Sequence, residues 1–174
     1  GTLIPWARRR GALVKGGLAA LACWYTLAST SIAPHYLAYF NELVGGPDQG
    51  YHYLVDSNLD WGQDLKGLKQ YMDQHGITRV WLSYFGQADP RYYGITYDYL
   101  PSFDIFHPQN VRPQVWLADR APPLRGTVAI SATLLQGPYL PFPDPAKGKQ
   151  YFEEYRRMTP VAKIGYSIFI FQVE

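Results

Sequence analysis

The sequence is poor in what usually announces a function. It has one cysteine in 174 residues, Cys23. No disulfide can close within the chain, and a multi-cysteine zinc site is excluded. Net charge is only +2, too little to make a case for nucleic acid as a partner. There is no G-x-S-x-G elbow, no phosphate-binding glycine loop and no G-x-G-x-x-G, which leaves nucleophile-elbow hydrolases and mononucleotide or dinucleotide binders without support. No asparagine begins an N-x-S/T site. The four histidines, His35, His52, His75 and His107, are scattered without ligand spacing, so surface or packing roles are expected of each. What is abundant is aromatic: 16% of residues, with 15 tyrosines beside 14 prolines. Disordered segments are poor in aromatics. The expectation is therefore a folded domain with long Tyr- and Pro-rich loops, together with an appendage. A start at Gly1 rather than Met fits a piece cut from a longer protein.

The appendage lies at the start. Arg8, Arg9, Arg10 and Lys15 precede a stretch from Gly16 to Ala33 with no charged residue. Extended back through Ala12, Leu13 and Val14, it is long enough to cross a bilayer core of about 30 Å. Tyr36, Tyr39 and Phe40 follow where an interfacial aromatic belt would lie, and Trp6 suits the other face. Basic residues on the N-terminal side place that flank in the cytoplasm and the rest outside it. The stretch is rich in Gly, Ala, Ser and Thr, as suits a helix packed against other transmembrane helices. A cleaved secretory signal has the same order of features, with "SIA" before Pro34 as a cleavage site and "RR" as a faint twin-arginine mark. Trp24, Tyr25 and a proline directly after the cut argue against cleavage. Pro34 disfavours the α conformation at Ala33 and should end or kink the helix. Residues 1–44 are thus expected as a transmembrane helix with its interfacial flank, and 45–174 as an extracytoplasmic domain.

That domain reads as α/β with a mainly parallel sheet. "YHYLVDS" fits a strand. Trp61, Leu65, Leu68 and Met72 recur at helical spacing, and Gly76 stops the helix. "ITRVWLSYF" is a nearly continuous apolar run of the kind buried on both faces. Together these predict a right-handed βαβ unit. Loops follow, with a helical turn at "DPRYYG" and a short strand near "PQVWLA". "GTVAISATLL" reads as a strand. "AKGKQYFEEYRRM" reads as a helix with Tyr151, Phe152 and Tyr155 on one side and a solvated Glu/Arg face. "PVAKIGYSIFIFQV" reads as one long strand or two broken at Gly165.

The stretch "LVDSNLDWGQDL", Leu54–Leu65, carries the candidate site. Asp56, Asn58 and Asp60 occupy the first, third and fifth positions of a calcium loop. The sixth is Trp61 rather than Gly and the twelfth is Gly67 rather than Glu, so the turn and the bidentate ligand are missing and an EF-hand is excluded. The alternative is a helix start. Asp60 would be the N-cap, Gln63 would reach back as in a capping box, and Asp64 would favour the helix dipole. Asp56 would then end the first strand, at the carboxyl edge where open α/β sheets take ligands. Trp61 suits either stacking on a sugar ring or packing as the helix's first core residue. Asp56, Asn58, Asp60, Trp61, Gln63 and Asp64 are the ligand-binding candidates there. Tyr92 and Tyr93, in the Tyr-rich loop from Asp89 to Tyr99, are two more. No metal ligand is assigned.

"HYLAYFNELVGGPDQGYHYLVDSNLDWGQDLKGLKQYMDQHG", followed by "LSYFGQADPRYYGI", resembles the C-terminal part of bacterial polytopic glycosyltransferases of the GT-C superfamily, relatives of protein O-mannosyltransferases and of the lipid A aminoarabinose transferases. "ISATLLQGPYLP" and "PVAKIGYSIFIF" fit the same ending, so the resemblance spans nearly the whole chain, with "LVDSNLDWGQDL" its most specific piece. It implies transfer of a sugar from a polyprenyl-phosphate carrier to an extracytoplasmic acceptor. It also implies that the catalytic acidic residue lies in the first external loop, outside this chain. By this resemblance the chain would be the last transmembrane helix, in the inner (cytoplasmic) membrane, and the external domain. No catalytic residue is carried over to it, and its expected partners are the bilayer, upstream transmembrane helices and the lipid-linked sugar donor. No cofactor is implied for this segment, and a divalent metal in the whole enzyme is left open. The alternative is a membrane-anchored carbohydrate- or peptide-binding module without catalysis, using the Tyr-rich loop. A stand-alone hydrolase lacks a nucleophile–base constellation.

Overall fold

A computed structural model of the chain describes residues 3–102, 124–137 and 150–174. Helix α1 runs from Leu3 to Ser31. Short 3-10 and helical turns follow at Tyr36–Ala38, Glu42–Val44, Pro47–Gly50 (α2) and Asp56–Asn58. Then come α3 (Leu65–Gln74), β1 (Val80–Ser83), a 3-10 turn at Pro90–Tyr93 and β2 (Tyr97–Tyr99). The chain ends with β3 (Gly126–Ser131), α4 (Ala132–Leu135), α5 (Glu153–Arg157), β4 (Ala162–Ile164) and β5 (Ile168–Val173).

The five strands form one mixed sheet in the order β2-β1-β3-β5-β4. β1 pairs parallel with β2 and β3, whereas β5 pairs antiparallel with β3 and β4. The expectation of a mainly parallel sheet is corrected accordingly. The closing segment breaks at Gly165, where Gly165 (φ 56°) and Tyr166 (φ 67°) both take positive φ. That break folds β4 back on β5 as a hairpin, which has to be antiparallel.

Alternation along the strands builds two cores. Val128, Ile130, Phe169 and Phe171 point to one face, and Val80, Leu82, Ala129, Ile168 and Ile170 to the other. Leu65, Leu68 and Met72 of α3 cover the second face. Leu134, Leu135, Tyr151, Phe152 and Tyr155 cover the first, joined by Leu59, Ala38 and Ile32. Helices on both faces explain why β1, β3 and β5 read as unbroken apolar runs. Helix α3 ends as the sequence predicts. Gly76 takes φ 65°, Ile77 N–H donates to Met72 O at 2.8 Å and Gly76 N–H to Asp73 O at 3.4 Å. These are the paired bonds of a Schellman cap.

The strand expected at "YHYLVDS" does not form. His52 N–H donates to Gln49 O, and Tyr53 and Leu54 N–H both donate to Gly50 O. The backbone is thus spent on turns that continue α2, which begins at Pro47, a residue suited to a first helical position. Tyr51 contributes its ring instead, edge-on to Phe169 at 4.7 Å. The βαβ unit therefore does not arise. The parallel neighbours of β1 are β2, reached through the Pro90–Tyr93 turn, and β3. The strand expected near "PQVWLA" and the first residues of the "AKGKQYFEEYRRM" helix lie outside the described residues.

Helix α1 stands apart from both cores. Its stretch Gly11–Ser31, 21 residues whose most apolar 18-residue window has mean hydropathy 1.3, is long and apolar enough to cross a membrane, and none of that window is buried. It stops at Ser31, short of Ala33 and Pro34, as the proline demands. The next residue, Ile32, is already in the core.

Candidate functional site

The candidate residues lie in a loop laid over the carboxyl edge of the parallel strands. Asp56 N–H donates to Thr133 Oγ1 (3.0 Å), just after β3. Tyr84, just after β1, donates its hydroxyl to Gly62 O (3.0 Å). Ser131, the last residue of β3, accepts from Phe85 N–H at 3.0 Å. Because β5 runs antiparallel to β3, its start brings Ser167 to the same edge, and Ser167 Oγ donates to Asp64 Oδ2 at 2.7 Å. Asp56 thus reaches the expected edge without the expected strand.

The helix-start arrangement is corrected. α3 begins at Leu65 with Asp64 at its N-cap position, and the Asp64 side chain makes no capping bond. Asp60 Oδ1 accepts from Gly62 N–H (2.9 Å), closing a local turn with Gly62 at φ 75°. Such Asx turns compete with helix formation for the same residue types. Gln63 does reach back, but its Oε1 takes Trp61 N–H (2.8 Å) and its Nε2 gives to Leu59 O (3.1 Å). Trp61 is not a core residue. It is 65% exposed, and its Nε1–H donates to Ser57 O at 3.0 Å. Asn58 caps locally, its amide donating to Val55 O (3.4 Å).

Two carboxylates are buried here. Asp60 is fully buried, and its Oδ2 accepts no hydrogen bond from the described residues. Burial pushes its pKa up to about 7. The nearby charges of Asp64 and Asp56 add to the rise, and the Gly62 N–H and the neighbouring Ser131 hydroxyl oppose it. The Ser131 hydroxyl is thus near enough to favour the charged form, though no bond of normal geometry reaches Oδ2. Asp64 is also raised by burial, against the Ser167 hydrogen bond and the charge of His35. His35 Nδ1 lies 3.6 Å from Asp64 Oδ1, and its ring meets Tyr166 edge-on at 5.9 Å. The packing is tight throughout. A Cβ at Gly62 would stand 2.0 Å from the Tyr84 hydroxyl oxygen, and one at Gly165 would stand 2.1 Å from both Asp64 oxygens.

Asp60 and Asp64 are therefore brought together, with Asp56, Asn58, Trp61 and Gln63 around them. Tyr92 and Tyr93 sit on a separate turn against α3 and stack edge-to-face on each other at 5.4 Å. Sequence reasoning missed Ser131, Ser167 and Tyr84, which lie far from Asp60 and Asp64 in the chain. Only the glycines at 62 and 165 hinted at close approach. Among the described residues, no group of three or more His, Cys, Asp or Glu could hold a metal ion. A surface cavity of about 490 Å³ is lined by Gln150, Glu153, Arg156 and Arg157. Its charges are engaged: Arg157 with Glu153, and Arg156 Nη1 with Leu135 O at 2.6 Å.

What the arrangement does chemically is seal and fix. Tyr84 on Gly62 O, Thr133 on Asp56 N–H, and Ser167 and His35 on Asp64 tie the Asp56–Asp64 loop to the ends of β1 and β3, the β4–β5 turn and the segment leaving α1. No family model, curated protein or solved structure matches the chain.

Proposed function

We propose that this chain is the final membrane helix and extracytoplasmic domain of a polyprenyl-phosphate-dependent glycosyltransferase of the GT-C kind, with its catalytic residues elsewhere in the enzyme. The observation that carries this is α1: its 21-residue stretch Gly11–Ser31 is long and apolar enough to cross a membrane, with none of the most apolar window buried by the domain, and it is joined without slack to a core that includes the next residue, Ile32. A helix so exposed needs lipid or other helices around it, and its Gly16, Gly17 and alanines suit close helix packing. The resemblance of Leu54–Leu65 and its flanks supplies the reaction class. The domain would sit beside the active-site cavity as a rigid wall. The test uses membranes bearing the gene product that carries this chain. Transfer of sugar from a polyprenyl-phosphate donor, lost when residues 45–174 are deleted and the helix retained, supports the proposal. Undiminished transfer by the deleted protein, or no transfer by the intact one, overturns it.

A second reading, a membrane-anchored carbohydrate- or peptide-binding module, is favoured by the exposed rings of Trp61 (65%) and Tyr92 (86%). Saturable binding of oligosaccharide or peptide by a protein that transfers nothing would select it.

A further inference from the structure

Directly after α1 the chain displays a run of large apolar side chains that the fold leaves uncovered. Tyr36 (61% exposed), Tyr39, Leu43 (86%), Val44, Tyr53 (60%) and Leu54 all lie at the surface. They are six of the twelve exposed large apolar residues among the described residues outside α1, gathered within nineteen positions of chain. The segment is not an unfolded tether. Phe40 stacks on Tyr53 with ring centres 5.4 Å apart. Gly50 lies so close to Phe40 that a Cβ there would stand 3.2 Å from it. Gly46 N–H donates to Asn41 O at 3.1 Å. The Tyr36–Ala38 turn leads into it with Ala38 buried in the core, so residues 36–54 form one knob, held to the domain by Tyr51 on Phe169 and by Lys163 on Asp48 (3.1 Å). Between Tyr36 and Leu54 the only carboxylates are Glu42 and Asp48, and Asp48 is paired.

Exposed tyrosines mixed with leucine and valine, with little charge, are the chemistry of a membrane–water interface, where an amphipathic ring keeps its hydroxyl wet and its body in the acyl boundary. A water-facing surface would not keep such a patch without a partner. Position decides which partner. The knob begins five residues after an apolar helix ends and is folded back on itself, so it stays near the end of the span. We propose that the Tyr36–Leu54 knob rests in the headgroup region of the bilayer, with lipid covering its exposed tyrosine, leucine and valine side chains and fixing the domain's tilt over the membrane. This rests on α1 crossing the membrane.

The test places one cysteine at a time in a Cys23→Ser chain: Leu43→Cys, Leu54→Cys, Tyr92→Cys and Leu21→Cys. Each variant carries an environment-sensitive fluorophore and is reconstituted in phosphatidylcholine vesicles doped with nitroxide lipids. Positions 43 and 54 should be quenched several-fold more than position 92 by a nitroxide near the headgroup, and position 21 most by a nitroxide deep in the chains. If 21 is quenched while 43 and 54 behave like 92, the knob proposal falls and the span stands. If 21 is not quenched, both fall. Blue-shifted emission at 43 and 54 without lipid quenching would mean that protein covers the knob, which also overturns the proposal.

Discussion

Ser167 Oγ donates a 2.7 Å hydrogen bond to Asp64 Oδ2 across 103 residues of chain. It joins the start of α3 to the turn between β4 and β5, and Gly165 lies against the same carboxylate. Both side chains are buried. Ser167→Ala removes a neutral donor from a buried acceptor, which costs about 1–3 kcal/mol. Because the bond favours the ionised form, its loss should raise the Asp64 pKa further. The destabilisation should therefore be larger at neutral pH than in acid, where the carboxyl is protonated in both proteins. Urea unfolding of the two proteins at several pH values checks this. A cost that is independent of pH would mean the hydroxyl does not act through Asp64.

Gly62 illustrates how tightly the loop is seated. Gly62 and Gly76 share a positive φ of 75° and 65°. A Cβ at Gly76 meets nothing within 4 Å, while one at Gly62 meets the Tyr84 hydroxyl oxygen at 2.0 Å and the ring carbon bearing it at 2.8 Å. Gly76→Ala carries the backbone cost alone, about 1–2 kcal/mol. Gly62→Ala carries that cost and a clash with a buried ring, and should destabilise distinctly more. Denaturant midpoints of the two variants decide it, and equal costs would show that Tyr84 moves aside freely.

Much of the α/β core was legible in the sequence because its signals are local. Leu65, Leu68 and Met72 mark one face of α3, Gly76 caps it, β1 and β3 are apolar runs, and Gly165 marks the hairpin. The strand read from "YHYLVDS", Tyr51–Ser57, does not form because an aromatic run satisfies the strand template equally well when one ring packs sideways on the sheet, as Tyr51 does on Phe169. The Asp60 helix cap was misread because Gly62 offers the same carboxylate a nearer amide. The site was half legible. The acidic loop stands out, but nothing local in Ser131, Ser167 or His35 says that each comes to that loop. Those neighbours follow from strand order, above all from the antiparallel β5 bringing its first residues to the carboxyl edge of β3.

Trp61 and Tyr92 lie on the surface, so removing either ring should change unfolding free energy by no more than about 0.5 kcal/mol. If these rings form the binding surface of an anchored module, Trp61→Ala and Tyr92→Ala will weaken retention on immobilised oligosaccharide while the melting curve stays put. If the chain is the wall of a transferase and binds nothing through these rings, retention will be the same in both variants and the parent. Parallel measurement of melting and retention separates the two readings.

Asp60 makes the chain's stability depend on pH in an uncommon direction. Its carboxyl titrates at 3.8 when unperturbed and at about 7 in the fold. Between those values the folded chain keeps a proton that the unfolded chain has lost. Stability therefore falls as pH rises through that window and levels off above about 7. At 1.36 kcal/mol per unit the full span is about 4 kcal/mol. Asp64, also raised by burial, acts in the same sense. Asp60→Asn keeps an oxygen for the Gly62 N–H and puts a neutral amide in place of Oδ2. It cannot ionise, so it should flatten most of the slope between pH 4 and 7 and leave the smaller part due to Asp64. The expected readout is a urea midpoint that falls with pH for the parent and much less for the variant. Identical slopes would mean that Asp60 is ionised in the fold, held by a donor on Oδ2.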